Sequence, residues 1–346
     1  MGRVCNILRS GDFRSLFAEL GNYGKIWLVC DENVWESAGS LIAGKIADRL
    51  LGKSMVKADE RHKNLETVQR IIAEMLSGCA DRDVFVLGIG GGITTDIAGF
   101  VASIYKRGVA FGFVPTTLLA QVDAAIGGKN GVNVLSYKNM AGVIRQPEFT
   151  FICPGSLVTL PEKEFRAGIA EMLKTFLIAD GAAYREAVEL FAQAKEKGRS
   201  YAGMLDIIGR FSSRAAEIKS EIVSADIFER GWRKVLNLGH TFAHAVEKVS
   251  VGEWSHGDAV AAGIVMAAEL AERHGVAQAG LSRRLKADFE SIGLPVEAPY
   301  AFGELADAML KDKKARDGKV DFVLPVEPGK VTVVPLDPLR LTDKIG

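Results

Sequence analysis

Over its first 155 or so residues the chain alternates short apolar runs with amphipathic stretches, and that alternation admits few folds. Lys25-Ile26-Trp27-Leu28-Val29-Cys30 leads into Asp31-Glu32-Asn33, and Val84-Phe85-Val86-Leu87-Gly88 leads into a run of glycines. Strand-like runs separated by helical ones predict a parallel sheet covered by helices. From about 162 to 293 the pattern changes to successive helical stretches with no strand between them, so an all-helical C-terminal domain is expected. Near the end, Val320-Asp321-Phe322-Val323-Leu324-Pro325 and Lys330-Val331-Thr332-Val333-Val334 are expected to pair as a short hairpin around Glu327-Pro328-Gly329. The expected organisation is an α/β domain over residues 1–158 and a mainly helical domain over 159–346. No internal repeat or low-complexity segment interrupts it.

Charge narrows the function classes. Forty-three basic and 43 acidic side chains cancel, which removes the electrostatic reason to expect nonspecific nucleic-acid or membrane binding. Any positive site must be local. Cys5, Cys30, Cys79 and Cys153 are scattered without a Cys-x-x-Cys pair and fit reduced thiols in a cytoplasmic protein. The opening Met-Gly-Arg-Val-Cys-Asn has neither the apolar core of a signal peptide nor the Ser or Thr at position six that myristoylation prefers. No run approaches transmembrane length.

The densest chemistry lies in Arg233-Lys-Val-Leu-Asn237-Leu-Gly-His240-Thr-Phe-Ala-His244. Steps of four, three and four place Arg233, Asn237, His240 and His244 on one face of a predicted helix, while Val235, Leu238, Phe242, Ala245 and Val249 repeat on the other. One apolar stripe supplies the core contact, so the second stripe calls for a ligand, and a metal with an anion beside it fits. Single histidines on helices are more often surface or satisfied core residues, and His62 and His274 are read that way. His240, His244 and His256, by contrast, are three of only five histidines, within a short span. His-x-x-x-His allows a divalent metal to take one or both rings. Thr241 stands where a zincin-type peptidase needs its Glu, which sets that reading aside. A third ligand is available on the predicted helix 164–175, where Glu171 and Lys174 share a face at i, i+3. An isolated pair of this kind is usually solvated, but its neighbours here are apolar, and a buried carboxylate needs a cation or metal beside it. Glu171, His240 and His256 then form a two-imidazole, one-carboxylate site with positions open for water or substrate, as in catalytic metal sites.

Two further segments read as ligand loops. Ile89-Gly90-Gly91-Gly92-Ile93-Thr94-Thr95-Asp96 follows a strand and precedes the helical run Ile97 to Lys106. Such a turn lets backbone amides approach phosphates, so a nucleotide is the natural ligand. The G-x-G-x-x-G spacing is not met, because Ile93 stands where the third Gly or Ala belongs, and many such turns bind nothing. Val114 through Asn133 offers Thr116, Thr117, Asp123, Gly127-Gly128-Lys129 and amides, a polar density that points to a ligand. Lys129, Lys138, Arg107 and Lys219 are spare cations, each by itself most simply a solvated surface charge.

Taken together, these motifs resemble the 3-dehydroquinate synthase family over nearly the whole chain. The matching segments are Gly90-Gly91-Gly92 with Asp96, Tyr105 to Gly108, Val114 to Leu119, Gly127 to Asn133, Lys138-Asn139, Ala170-Glu171 with Lys174, Lys219, Arg233 to His244, His256-Gly257, and Asp312-Lys313-Lys314. The resemblance implies an N-terminal dinucleotide domain, a helical C-terminal domain and an active site in the cleft between them. It implies NAD at Asp31, Asn33, Glu60, Lys63, Gly91, Gly92, Asp96, Thr116, Thr117 and Lys138, and zinc or cobalt on Glu171, His240 and His256. A sugar phosphate substrate would meet Asp123, Lys129, Asn139, Lys174, Lys219, Arg233, Asn237, His244 and one of Lys313 and Lys314. Arg107 would reach the neighbouring subunit's site in a homodimer. Spacing alone leaves His244 open as a metal ligand, whereas the resemblance gives it to the substrate's phosphate, which needs several donors. Asn130 for Thr, Ala124-Ala125 for Ser-Ser, Thr94-Thr95 before Asp96, and Asp258 for Glu depart from the family pattern.

The implied reaction is a redox-neutral cyclisation. Transient oxidation by NAD at a carbinol that the metal polarises acidifies a neighbouring C–H, phosphate is eliminated, the hydride returns, and an aldol step closes the carbocycle. Related sugar-phosphate cyclases remain an alternative, as does a metal-dependent polyol dehydrogenase of the iron-type alcohol dehydrogenase group, which needs no phosphate cradle. A nucleotide-binding sensor would keep the glycine turn without the Glu171, His240 and His256 set.

Overall fold

A computed structural model describes residues 6–135, 137–251, 253–300, 302–310, 319–339 and 341. The described chain forms two compact units, one within Met1–Leu160 and Ser212–Phe228, the other within Pro161–Phe211 and Glu229–Gly346. In the first, the elements run β1 (Asn6–Arg9), α1 (Arg14–Leu20), β2 (Ile26–Asp31), α2 (Glu32–Lys45), β3 (Leu50–Val56), α3 (Leu65–Ser77), β4 (Phe85–Gly90) and α4 (Gly92–Ile104). They continue with β5 (Phe111–Pro115), β6 (Lys129–Val134), β7 (Tyr137–Ile144) and β8 (Phe149–Ile152).

Six strands make one parallel sheet in the order β1-β8-β5-β4-β2-β3, and β6 and β7 form a separate antiparallel ribbon. The apolar runs are continuous because both faces of the sheet are covered. Alternate residues serve opposite cores: Trp27, Val29, Val86 and Phe113 join Val68, Ile71, Ile97 and Val101 on one face, while Leu28, Cys30, Leu87 and Ile89 join Leu16, Leu20 and Phe151 on the other. β2 pairs with β3 on one side and β4 on the other, so the chain order reverses there. A ligand crevice is expected outside the carboxyl ends of strands at such a point, and Asp31, Gly91 and Gly92 stand at those ends.

The second unit is built from α5 (Glu162–Ala179), α6 (Gly181–Glu196), α7 (Leu205–Ala225), α8 (His240–Val249), α9 (His256–Arg273), α10 (Leu281–Ser291) and α11 (Phe302–Leu310). α7 is divided, since its residues from Ser212 onward belong with the first unit. There Ala216 packs on Ile126 and Ile152, and Arg9 pairs with Glu217 at 2.6 Å. The expected hairpin forms as β9 (Val320–Glu327) and β10 (Lys330–Leu336). It packs on the helices, with the Phe322 and Phe242 rings 5.5 Å apart. Among the described residues, no helix is long and apolar enough to cross a membrane.

One local expectation is corrected. Residues 233–244 do not form a single helix: Trp232–Asn237 is a 3-10 turn, Leu238 turns extended, and α8 begins only at His240. The cause is Gly239, whose φ of +76° breaks the helical path. Its backbone lies so close to α9 that an added Cβ would sit 2.8 Å from the Ile264 side chain.

Candidate active site

Three helices bring the metal-ligand candidates together. α9 packs against both α5 and α8, and its glycines permit the approach: a Cβ on Gly257 would fall 2.1 Å from Ala167 Cα on α5, and one on Gly263 would fall 2.4 Å from the Gly239 carbonyl. Glu171 on α5 therefore faces His240 and His256, the first residues of α8 and α9. Glu171 Oε1 lies 3.1 Å from His256 Nε2 and 3.5 Å from His240 Nε2. One ligand atom from each of the three lies within 4.8 Å of the others, the one such cluster of His, Cys, Asp and Glu among the described residues.

The surroundings fit a divalent cation. Glu171 is fully buried, and its other oxygen meets Lys174 Nζ at 2.5 Å. Burial opposes ionisation of Glu171, yet Lys174 and the two imidazoles hold its pKa well below the usual carboxylate range. Burial and the Lys174 charge push the His240 pKa well down, leaving a neutral ring. Its Nδ1 is 3.2 Å from the Leu238 carbonyl, an arrangement that puts the Nδ1 proton there and the Nε2 lone pair toward Glu171. Burial works against a charged His256, but Glu171 and Glu247 carry its pKa up to about 10. A bound metal would displace that proton. Two imidazole nitrogens and one carboxylate oxygen, with His244 alongside at 5.5 Å ring to ring from His240, match zinc or cobalt rather than magnesium or calcium.

Glu247 was not anticipated from the sequence. Its Oε2 lies 3.5 Å from His256 Nδ1, the place from which a carboxylate orients a metal-binding ring. Its spacing from His240, i+7 on α8, was legible, but a charged residue at that spacing usually marks a solvated face. Arg233 is buried in the 3-10 turn. Asn237 donates to Glu229 Oε1 at 3.1 Å and to the Lys234 carbonyl at 3.0 Å.

In the first unit the dinucleotide candidates gather at the carboxyl ends of β2 to β5. Asp31 caps α2 by accepting from the Asn33 N–H at 2.9 Å, and burial raises its pKa. Gly91 caps α4 with no side-chain bond, leaving the first amides of that helix open to an anion. A Cβ on Gly91 would meet Thr117 at 3.0 Å, and one on Gly92 would meet Ala124 at 3.0 Å. The Thr116 N–H donates to the Gly90 carbonyl at 2.9 Å, tying β5 to this turn. These features fit a pyrophosphate. Lys63, buried, bridges Asp96 Oδ2 at 2.5 Å and Asn139 Oδ1 at 2.6 Å, while Glu60 accepts from Asn133 at 2.8 Å. Lys219 Nζ holds Asp123 Oδ1 at 2.6 Å. Lys129 and Lys138 stand exposed on β6 and β7, and Arg107 is exposed on the turn Tyr105–Arg107. Lys313 and Lys314 lie outside the described residues.

Two of the departures have internal roles. Asn130 is buried and its Nδ2 donates to the Gly128 and Arg145 carbonyls at 3.0 and 2.8 Å, so its amide closes the fold at β6. Asp258 accepts from Arg166 at 3.2 Å, linking α9 to α5.

Asp96 offers a test of this environment. Burial raises its carboxyl pKa to about 6 against the Lys63 charge. The folded protein therefore holds this proton more tightly than the unfolded chain, so stability falls as pH rises from about 4 to 6, by up to roughly 3 kcal/mol. In urea unfolding of NAD-free protein, Asp96→Asn should remove that part of the pH slope. An unchanged slope would mean that Asp96 is ionised throughout the window.

Comparison with known proteins agrees with this geometry. Residues 53–167 match the family model described as 3-dehydroquinate synthase N-terminal, and residues 168–315 match 3-dehydroquinate synthase C-terminal. The chain belongs to the 3-dehydroquinate synthase family. A 3-dehydroquinate synthase of Alkaliphilus metalliredigens is 38% identical over 320 residues, 92% of this chain and 88% of that one. One of Geobacter metallireducens is 40% identical over 296 residues, 83% and 81% of the two chains. Among solved structures, ValA, a 2-epi-5-epi-valiolone synthase from Streptomyces hygroscopicus with NAD+ and Zn2+ bound, has a TM-score of 0.86 at 26% identity, covering 99% of this chain and 96% of that one. A probable glycerol dehydrogenase from Sinorhizobium meliloti shares the fold alone, with a TM-score of 0.61 at 17% identity over 99% and 97% of the chains.

Proposed function

We propose that this chain converts 3-deoxy-D-arabino-heptulosonate 7-phosphate to 3-dehydroquinate and phosphate, a step of the shikimate pathway toward aromatic amino acids. The observation that carries the reading is the convergence of Glu171, His240 and His256 beside His244 in a chain of this family. Glu171, His240 and His256 would hold zinc or cobalt. Asp31, Asn33, Glu60, Lys63, Gly91, Gly92, Asp96, Thr116, Thr117 and Lys138 would hold NAD. When bound, the pair supplies a Lewis acid and a reversible hydride acceptor.

The chain's own residues then bind and orient. Lys174 keeps Glu171 ionised for its ligand role. His244, Arg233, Asn237, Lys129 and Asn139 are donors suited to a phosphate that gains charge as it leaves. Lys219 fixes the Asp123 carboxylate, which is available to accept from a substrate hydroxyl. Arg107 follows the far end of α4 from Gly92, about 20 Å along the axis for a helix of this length. Lys106 and Arg107 are held at φ of 48° and 70°, a conformation uncommon for side-chain-bearing residues. The distance from the Gly92 end supports a role for Arg107 in a neighbouring subunit's site, and hence a homodimer.

The test is phosphate release from the heptulosonate phosphate with substoichiometric NAD and added zinc or cobalt. Many turnovers per NAD with no lasting rise in NADH absorbance are expected. Stoichiometric NADH would indicate a dehydrogenase, and a preferred sugar phosphate of another class would indicate a different cyclase.

A further inference from the structure

Asn133 has been given no ligand above, yet it is the centre of a hydrogen-bonded network in the first unit. Its Nδ2 donates to Glu60 Oε1 at 2.8 Å and to the Glu60 carbonyl at 3.3 Å. Its Oδ1 accepts from the Asn139 N–H at 2.8 Å, and its own N–H donates to the Lys63 carbonyl at 2.8 Å. Lys63 Nζ closes the circuit on Asn139 Oδ1 at 2.6 Å. The segment it supports is unusual: Leu135 and Asn139 have φ of 55° and 54°, where a side chain normally needs a local hydrogen bond as compensation. Glu60 and Lys63 follow β3, whereas Asn139 lies on β7, and this network ties the two segments together.

We propose that Asn133 is a positioning residue that holds Glu60 and Lys63, assigned above to the dinucleotide, in register with Asn139, assigned to the substrate's phosphate. The inference rests on the function proposed above. An amide is required because both of its ends are used, the donor on a carboxylate and the acceptor on an N–H. Aspartate at this position keeps the acceptor for Asn139 but sets a second carboxylate against Glu60. Fixing Oδ1 of Asn139 on Lys63 also commits its amide Nδ2 to act as the free donor, the polarity a phosphate oxygen needs.

Calorimetric titration of NAD and steady-state kinetics on the metal-loaded protein test this with Asn133→Asp, Glu60→Gln and the double variant. Asn133→Asp is expected to raise the NAD Kd and the substrate KM about tenfold or more, with kcat changed less. The double variant exchanges the donor and acceptor ends of the contact, so it should bind NAD within about threefold of Glu60→Gln alone. Recovery by reversed polarity is not expected of a residue that merely fills space. Asn133→Asp binding both ligands within twofold of wild type would overturn the proposal, as would a double variant no better than the product of the single effects. If Asn133→Asp does not fold, Asn133→Ala replaces it, with the same tenfold loss expected and the same twofold limit overturning. Wild-type protein that binds no NAD would overturn the functional reading and this inference with it, a failure distinct from normal binding in the variants.

Discussion

Replacing Lys174 with methionine is expected to destabilise the metal-free protein by roughly 3 kcal/mol and the zinc-loaded protein by much less. Glu171 is entirely removed from solvent, and Lys174, itself 1% exposed, meets it at 2.5 Å. Taking away one member of such a pair leaves a charge with no water to turn to, which costs far more than the pair contributes when intact. His256 remains 3.1 Å away as a partial substitute, which places the loss near the low end of the usual range. A divalent ion bound by the same carboxylate supplies the missing positive charge. Urea midpoints measured with chelator and with zinc, for wild type and Lys174→Met, give the comparison. Equal losses in both states would mean that Lys174 acts by packing its aliphatic stem, not by charge.

How much of this was legible in the chain differs between the two units. The parallel sheet followed from apolar runs such as Val84 to Gly88, because a strand covered on both faces has no polar positions to hide its pattern. The convergence of Glu171, His240 and His256 was legible too, since histidines are scarce here and a Glu in apolar company demands a partner. What periodicity could not reveal were features that depend on a second element. The break at Gly239 arises from the approach of α9, which is invisible in a window that contains only α8. Residues 212–228 read as ordinary helix, and it is contacts distant in sequence, Ala216 with Ile126 and Ile152, Glu217 with Arg9 and Lys219 with Asp123, that attach them to the first unit. Asn133 is a half-buried polar residue whose side chain bonds to Glu60 and Asn139 and whose N–H bonds to the Lys63 carbonyl, none of them next to it in sequence. Its importance exists only once the turn is folded.

The broken helix sharpens the last expectation, that His240→Ala loses the metal while His244→Ala keeps it. On one continuous helix both rings would be equally plausible ligands at i, i+4. The break makes His240 the first residue of α8, its Nδ1 facing the Leu238 carbonyl and its Nε2 3.5 Å from Glu171. His244 is one turn further on, its ring edge-on to His240 at 5.5 Å, outside the trio whose ligand atoms converge. His240→Ala should therefore purify without stoichiometric zinc or cobalt and show no measurable phosphate release. His244→Ala should retain the full complement and lose roughly ten- to a thousandfold in the rate of phosphate loss, as expected when one donor to a developing charge is removed from a preorganised site. Metal analysis of the two purified proteins separates the roles directly. Metal-free His244→Ala, or metal-replete His240→Ala, would exchange the two assignments and place the ion a helical turn deeper along α8.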